Sequence, residues 1–347
     1  MKKLFFVILL ILGFFLTPTV SAQHLGQEKR AEAKITNLSK QVTVEVLTGA
    51  DKGKEFTVTL FDQKQIASQK LRVGDTVIIS SIVTPTGSNV VIVDHVRRTP
   101  LMVLFALFVG LVIIVGRRKG FLSFLGMLFS FALIGRFIVP QILLGNNPIF
   151  ISMLGALFII PVTFYIAHGI SWKTTVAVVS TFLSLLITGI LAVIFVHFAK
   201  LTGFAAEEAV FLQSMTGQTI NLQTLLLGGI IIGAMGVLDD ITISQTSIVA
   251  KLYKTNPKFS FKQLFAESMD IGRDHIASLV NTLILVYAGA SLPLFVLFYG
   301  STYQYSELVN MEIIATEIVR TLVSSIGIVA AVPITTVIAC WYVMKQR

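Results

Sequence analysis

Seven apolar runs occupy the chain from residue 101 onward, at about 101–116, 121–144, 149–170, 174–199, 222–244, 276–298 and 313–343. Each is near the roughly 20 residues that a helix needs to cross a membrane. The pattern before them is different. Residues 23–98 are polar and alternating, and KQVTVEVLTGADKGKEFTVTLF holds two such stretches, 42–47 and 55–61, joined by a Gly/Asp/Lys turn. LRVGDTVIISSIV and SNVVIVDHV add two more strands, each preceded by a turn signal. Short strands of this kind predict a small all-β domain, for which an OB-like barrel is one form. The start, MKKLFFVILLILGFFLTPTVSAQ, has a basic end, an apolar stretch and small residues Val20-Ser21-Ala22, as a signal peptide does. An uncleaved first membrane helix is the alternative, and either one exports the segment that follows. The expected fold class is therefore a mainly α membrane protein with about seven transmembrane helices. Its expected organisation is a signal peptide at 1–22, an exported β domain at 23–98 and a transmembrane helical domain at 99–347.

Composition agrees. The chain is 54% hydrophobic and 13% charged, too apolar for a soluble domain of 347 residues, so the lipid bilayer is its expected surrounding. The net charge of +9 would suggest nucleic acid in a soluble chain, but here the basic residues crowd the ends of apolar runs. Arg117-Arg118-Lys119, Lys173, the four lysines between 251 and 262, and the C-terminal Lys345 fall in alternate loops. That places the β domain outside and the C-terminus in the cytoplasm of a bacterial plasma membrane, with no nucleic-acid partner expected. One cysteine, Cys340, and five scattered histidines offer no disulfide or metal cluster. GxxxxGK[ST], HExxH and GxSxG are all missing, so neither a cofactor nor an enzymatic activity is expected.

Charge inside the apolar runs changes the picture most. In the fifth run, GGIIIGAMGVLDDITISQTS, two adjacent acids stand where hydrocarbon would be. An ionised carboxylate there needs a partner, water or a proton. Gly229, Gly233, Gly236, Asp240, Ser244 and Ser247 share one helical stripe, which predicts close helix packing at the glycines and an inward Asp240. Asp239 lies about 100° around, with Gly228, Thr242 and Thr246. In the sixth run Asp270, Asp274, Ala277 and Asn281 share a stripe flanked by Arg273 and His275. In the seventh, Glu317 and Arg320 are close enough to pair, on a stripe with Ser324, Gly327, Ala331 and Thr335. Polar residues at a helix start, and snorkelling of Arg320 or Arg136, are the plainer readings of these groups. Pro161, Pro293 and Pro333 fit either broken helices around a site or ordinary kinks.

Three stretches, GAMGVLDDITISQTS, MDIGRDHIASLVNTLILVYAGASLPL and EIVRTLVSSIGIVAAVPITT, resemble the C-terminal signatures of the YibE/F-like membrane proteins. GDTVIISSI and RRKGFLSFLGMLFS are similar to the form with an exported N-terminal domain. The resemblance implies a multi-pass bacterial plasma-membrane protein without implying a biochemical activity. It makes Asp239 the motif position, since Leu238-Asp239 stands where the family has Met-Asp, whereas the helical wheel favours Asp240. A shorter family form implies a paralogous partner; a homo-oligomer is the other expectation. The leading functional expectation is a transporter or channel-like protein. Its substrate or proton site would lie between the fifth, sixth and seventh runs and use Asp239, Asp240, Arg273, Asp274, Asn281, Glu317 and Arg320. A non-enzymatic membrane scaffold and an intramembrane aspartyl hydrolase are the alternatives.

Overall fold

Alternation along the first strands builds a sheet with one buried face. In the computed structural model, residues 29–38, 42–58, 71–84, 87–205, 207–216, 220–300 and 302–346 are described. Residues 1–22, expected to be a signal peptide, lie outside the described residues, as do 59–61. The strands are β1 (Lys29–Leu38), β2 (Val42–Val46), β3 (Glu55–Val58), β4 (Thr76–Thr84) and β5 (Gly87–His95). They pair antiparallel in the order β3-β2-β1-β4-β5. Val42, Val44 and Val46 are buried with Ala33, Ile35, Val58, Val77 and Ile79, while residues between them are half-buried. Register shifts at Ile35/Asn37 and Ile78/Ile79 bend the strands, and edge strands β3 and β5 come into contact. The result is a small antiparallel half-barrel. Four strands were expected, and the fifth is β1, KRAEAKITNL, at the centre. Its inward side chains include only Ala31, Ala33 and Ile35 against intervening charges, a weak apolar alternation for a strand with two neighbours.

The helices are α1 (Arg98–Leu133), a π-helical turn (Ile134–Ile138), α2 (Val139–Leu143), α3 (Pro148–His168), α4 (Trp172–Phe198), α5 (Glu207–Thr216), α6 (Leu222–Thr255), α7 (Phe261–Ala290), α8 (Leu292–Tyr299), α9 (Tyr305–Asn310) and α10 (Glu312–Lys345). Contacts divide the chain into two compact units, with the boundary at Ile114/Val115 inside α1. Four of the long helices, α3, α4, α6 and α7, start where the sequence supplies a cap. The side chains of Asn147, Ser171, Asn221 and Ser260 each accept a backbone N–H of the first turn, and Ser260 forms a reciprocal box with Gln263.

Among the described residues, five helices are long and apolar enough to cross a membrane, or six if α7 and α8 form one bent span. Seven runs were expected. The difference arises because the first two are counted together as Arg98–Leu143, across a kink at which two helices meet. Arg117, with φ 50° and ψ −136°, forms that kink at the basic cluster. The sixth run is bent by 64° between α7 and α8, next to Pro293. Pro161 and Pro333, by contrast, sit inside continuous helices.

Helix α6 is the hub of its unit and packs against α3, α4, α7 and α10. Leu238 and Ile241 on α6 join Leu185 of α4 and Ile328 and Val332 of α10 in one core. The outer surface is apolar too, for example at Leu186, Ile190 and Ile284. Hydrophobicity therefore does not separate inside from outside here. The packed face of α6 is not the predicted glycine stripe. A Cβ on Gly229 or Gly236 would meet nothing within 4 Å, and one on Gly233 only the Tyr287 hydroxyl at 3.7 Å. Close approach occurs one residue away, at Gly228, where a Cβ would lie 2.8 Å from Ser152 Oγ and 3.2 Å from the Pro148 carbonyl. Gly228→Val is accordingly expected to destabilise the bundle by about 1–3 kcal/mol through overpacking. Gly236→Ala should be neutral or stabilising by up to about 1 kcal/mol from helix propensity. Thermal unfolding of the two variants in detergent checks this, and equal losses would place the packing face on the glycine stripe after all.

Candidate functional site

Asp239 and Asp240 lie midway along α6. By numbering, 17 residues precede Asp239 and 16 follow it, about 25 Å of helix on either side at 1.5 Å per residue. Both line a cavity of about 390 Å³, enclosed by the second half of α1, the π turn, α3 and α6. Its walls carry hydroxyls from Ser123, Ser130 and Thr163, and the His168 side chain. Gly236 lines it as well, so a Cβ there meets nothing because it would project into the cavity, and Gly126 lines it across from Thr163. The π turn that forms part of the wall is a local departure from regular helix of a kind frequent at functional sites.

The two carboxylates occupy different surroundings. Asp240 is exposed within the open cavity, while Asp239 is half-buried and its Oδ1 is shielded from solvent without a hydrogen-bond partner. One turn further, Thr242 Oγ1 lies 3.3 Å from the Asp239 carbonyl oxygen and 2.7 Å from Thr181 Oγ1 of α4. The inward carboxylate is thus Asp239, with Thr242 and Thr246 on the buried side, and the wheel's preference for Asp240 is corrected. The wheel took small residues as the mark of the packed face, but here the three glycines of the stripe are exposed, and Gly236 faces the cavity. His168 stands at the end of α3 and lines the same cavity as Asp240.

The charges expected opposite the aspartates lie elsewhere. Arg273 pairs with Asp270 of its own helix at 3.3 Å, and both side chains are largely exposed. Asp274 and Asn281 are exposed on the same side of α7, whose buried positions are Leu264, Ser268, Gly272 and Leu283. Glu317 and Arg320 do pair, at 2.9 Å, and both are partly buried. They line a second cavity of about 620 Å³ with Thr316, Glu208 and the α7–α8 bend at Ser291 and Pro293. Asp239 and Asp240 share one cavity, and Glu317 and Arg320 share another.

Several buried polar residues escaped the sequence reading. Gln245 is fully buried, and its Nε2 donates to the Ser268 carbonyl and to Thr336 Oγ1, both at 2.8 Å, tying α6 to α7 and α10. On α4, Ser180, Thr181, Ser184 and Thr188 are fully buried. Their spacing of three and four residues in an apolar run was the available signal, masked by the attention that charge attracts. His168 carried no such signal, because its place beside Asp240 depends on tertiary contact.

The family model described as YibE/F-like protein matches residues 104–345, a stretch that takes in every residue lining both cavities. No curated protein and no solved structure matches the chain.

Proposed function

We propose, for a chain that belongs to the YibE/F-like family, that it is a multi-pass membrane transporter or channel-like protein in which Asp239 binds and releases a proton. One observation carries this: a carboxyl group at the middle of a long apolar helix, with a shielded, unpartnered oxygen at the back of an open polar cavity. A carboxylate so placed is costly unless water, a counter-charge or a proton attends it. The cavity gives water a route to it, and Asp240, His168 and the wall hydroxyls provide further proton acceptors along that route. Basic residues in alternate loops support an orientation with the half-barrel outside and Lys345 inside a bacterial plasma membrane. In that orientation His168, which lines the first cavity, lies toward its cytoplasmic end.

Arg273, Asp274 and Asn281 belong in this reading to the α7 surface, where a paralogous or identical partner would meet the protein. Glu317 and Arg320 belong to the opposite end of the pathway. Purified full-length protein in liposomes, with a pH-sensitive dye trapped inside and a potassium-diffusion potential imposed, tests the reading. Protein-dependent acidification is the expected result. Liposomes with protein that acidify no faster than empty ones would leave a scaffold as the better account.

A further inference from the structure

We infer that a row of buried hydroxyls on the facing sides of α4 and α10 is a hydrated proton path joining Asp239 to the Glu317–Arg320 cavity. The inference rests on the proposed role of Asp239. The row begins beside that residue, where Thr242 of α6 touches Thr181 of α4. Along α4 it continues through Ser184 to Thr188, in steps of three and four residues. Neighbours at such spacing are about 5–6 Å apart on a helix face, a distance that one water bridges. At Thr188 the row changes helix. Its hydroxyl points at Gly327 of α10, where any Cβ would collide with it. From Gly327 the α10 stripe runs to Ser324, one turn from Arg320; since Arg320 accepts no proton, the path passes from Ser324 to the second cavity, which Thr316, Glu317 and Arg320 line.

Partnering separates this row from an ordinary packing seam. Thr181 and Thr188 each donate to a carbonyl one turn back, as hydroxyls in membrane helices commonly do. The Oγ atoms of Ser184, Ser324 and Thr316 are buried and have no protein partner, although these residues are 0%, 2% and 5% exposed. Buried polar atoms are nearly always hydrogen-bonded to protein or to ordered water. Several such atoms in sequence supply the polar partners that an internal water needs. A hydroxyl both donates and accepts, so a proton received from one neighbour is matched by one passed to the next, and no other charge moves.

Two measurements on full-length protein in liposomes test this. First, Thr188→Val keeps the side-chain shape and removes the hydroxyl, and Ser324→Ala is a second interruption less prone to disturb packing. Both are expected to slow proton flux about tenfold or more, the rate equivalent of one lost hydrogen bond, with the unfolding temperature little changed. Second, Ser324→Cys in a Cys340→Ala background is exposed to silver ions and then alkylated after denaturation. Protection by silver is expected, because the ion reaches a thiol along water. An unprotected thiol overturns the path. A protected thiol with wild-type flux in both hydroxyl variants, while Asp239→Asn blocks flux, overturns the path and leaves the role of Asp239 standing. A protected thiol in a protein that moves no protons overturns both the role of Asp239 and the proton path.

Discussion

Asp239→Asn is expected to stop proton flux while leaving the fold intact, and Asp240→Asn to reduce it only severalfold. The asymmetry follows from position. Asp240 is exposed in an open cavity, where water and neighbouring groups can substitute for it. Asp239 is the carboxyl with a shielded oxygen, one turn from the Thr242–Thr181 contact that leads into the bundle. Asparagine matches its shape but holds no exchangeable acid proton. Removing a proton-transferring group typically costs about a hundredfold or more in rate. Dye-monitored flux and thermal unfolding, measured on the same preparations, separate lost transfer from lost structure. Wild-type flux in Asp239→Asn would end the proposal, whatever Asp240→Asn does.

The largest expected effect on stability comes from a glycine far from that cavity. Gly203 has φ +87°, and a Cβ there would run into the backbone carbonyl of Leu222 at the start of α6. The loop around it is fixed by Glu312 at the start of α10. The Glu312 carboxylate accepts the backbone N–H groups of Thr202 and Gly203 at 2.6 and 2.9 Å and the Thr202 hydroxyl at 2.8 Å. Gln223 Nε2 adds a bond to the Leu201 carbonyl at 2.7 Å. Gly203→Ala therefore brings left-handed strain of about 1–2 kcal/mol, and relieving the collision breaks hydrogen bonds to a charged group worth about 1.5–3 kcal/mol each. A loss of roughly 3–5 kcal/mol is expected, near the upper end for one substitution. Glu312→Gln should cost less. The two changes together should cost less than their sum, because they undo the same clasp. Denaturant unfolding in detergent measures all three. Additive losses would show that the loop and Glu312 act separately.

The sequence was a good guide to element type and a poor one to facing. Alternation found four of the five strands and missed β1, because alanines at its inward positions are small and the intervening residues are charged. Apolar length located every long helix, and it divided the chain at Arg117-Lys119, where non-helical backbone at Arg117 separates two helices. Choosing the packed side of α6 and α7 failed for one physical reason. In a bundle whose exterior is apolar, neither hydrophobicity nor small size distinguishes a neighbouring helix from lipid or from a cavity. Polar residues are a better guide in α6 and α10, since an amide or hydroxyl in an apolar run seeks a partner, although Asn281 of α7 is exposed. Gln245, Thr242 and Ser268 indicate the correct side, and the Ser324, Gly327, Ala331 and Thr335 stripe, which includes hydroxyls, is indeed buried. The aspartates were legible as the feature to explain. Their cavity was not, because its other walls come from α1 and α3, more than 70 residues away.

The Gln245–Thr336 hydrogen bond also has a timing. Its partners are separated by 91 residues, so at about 5–20 residues per second of synthesis α6 waits roughly 5–20 s for α10. During that interval the α6 face bearing Gln245 and Thr242 lacks its last neighbour, and the amide has Ser268 of α7 alone to hold. A ribosome that stalls between α7 and α10 leaves a chain whose Gln245 amide lacks one of its two hydrogen-bond partners in an apolar helix. That is the point at which a membrane chaperone or protease would distinguish a chain to be completed from one to be degraded.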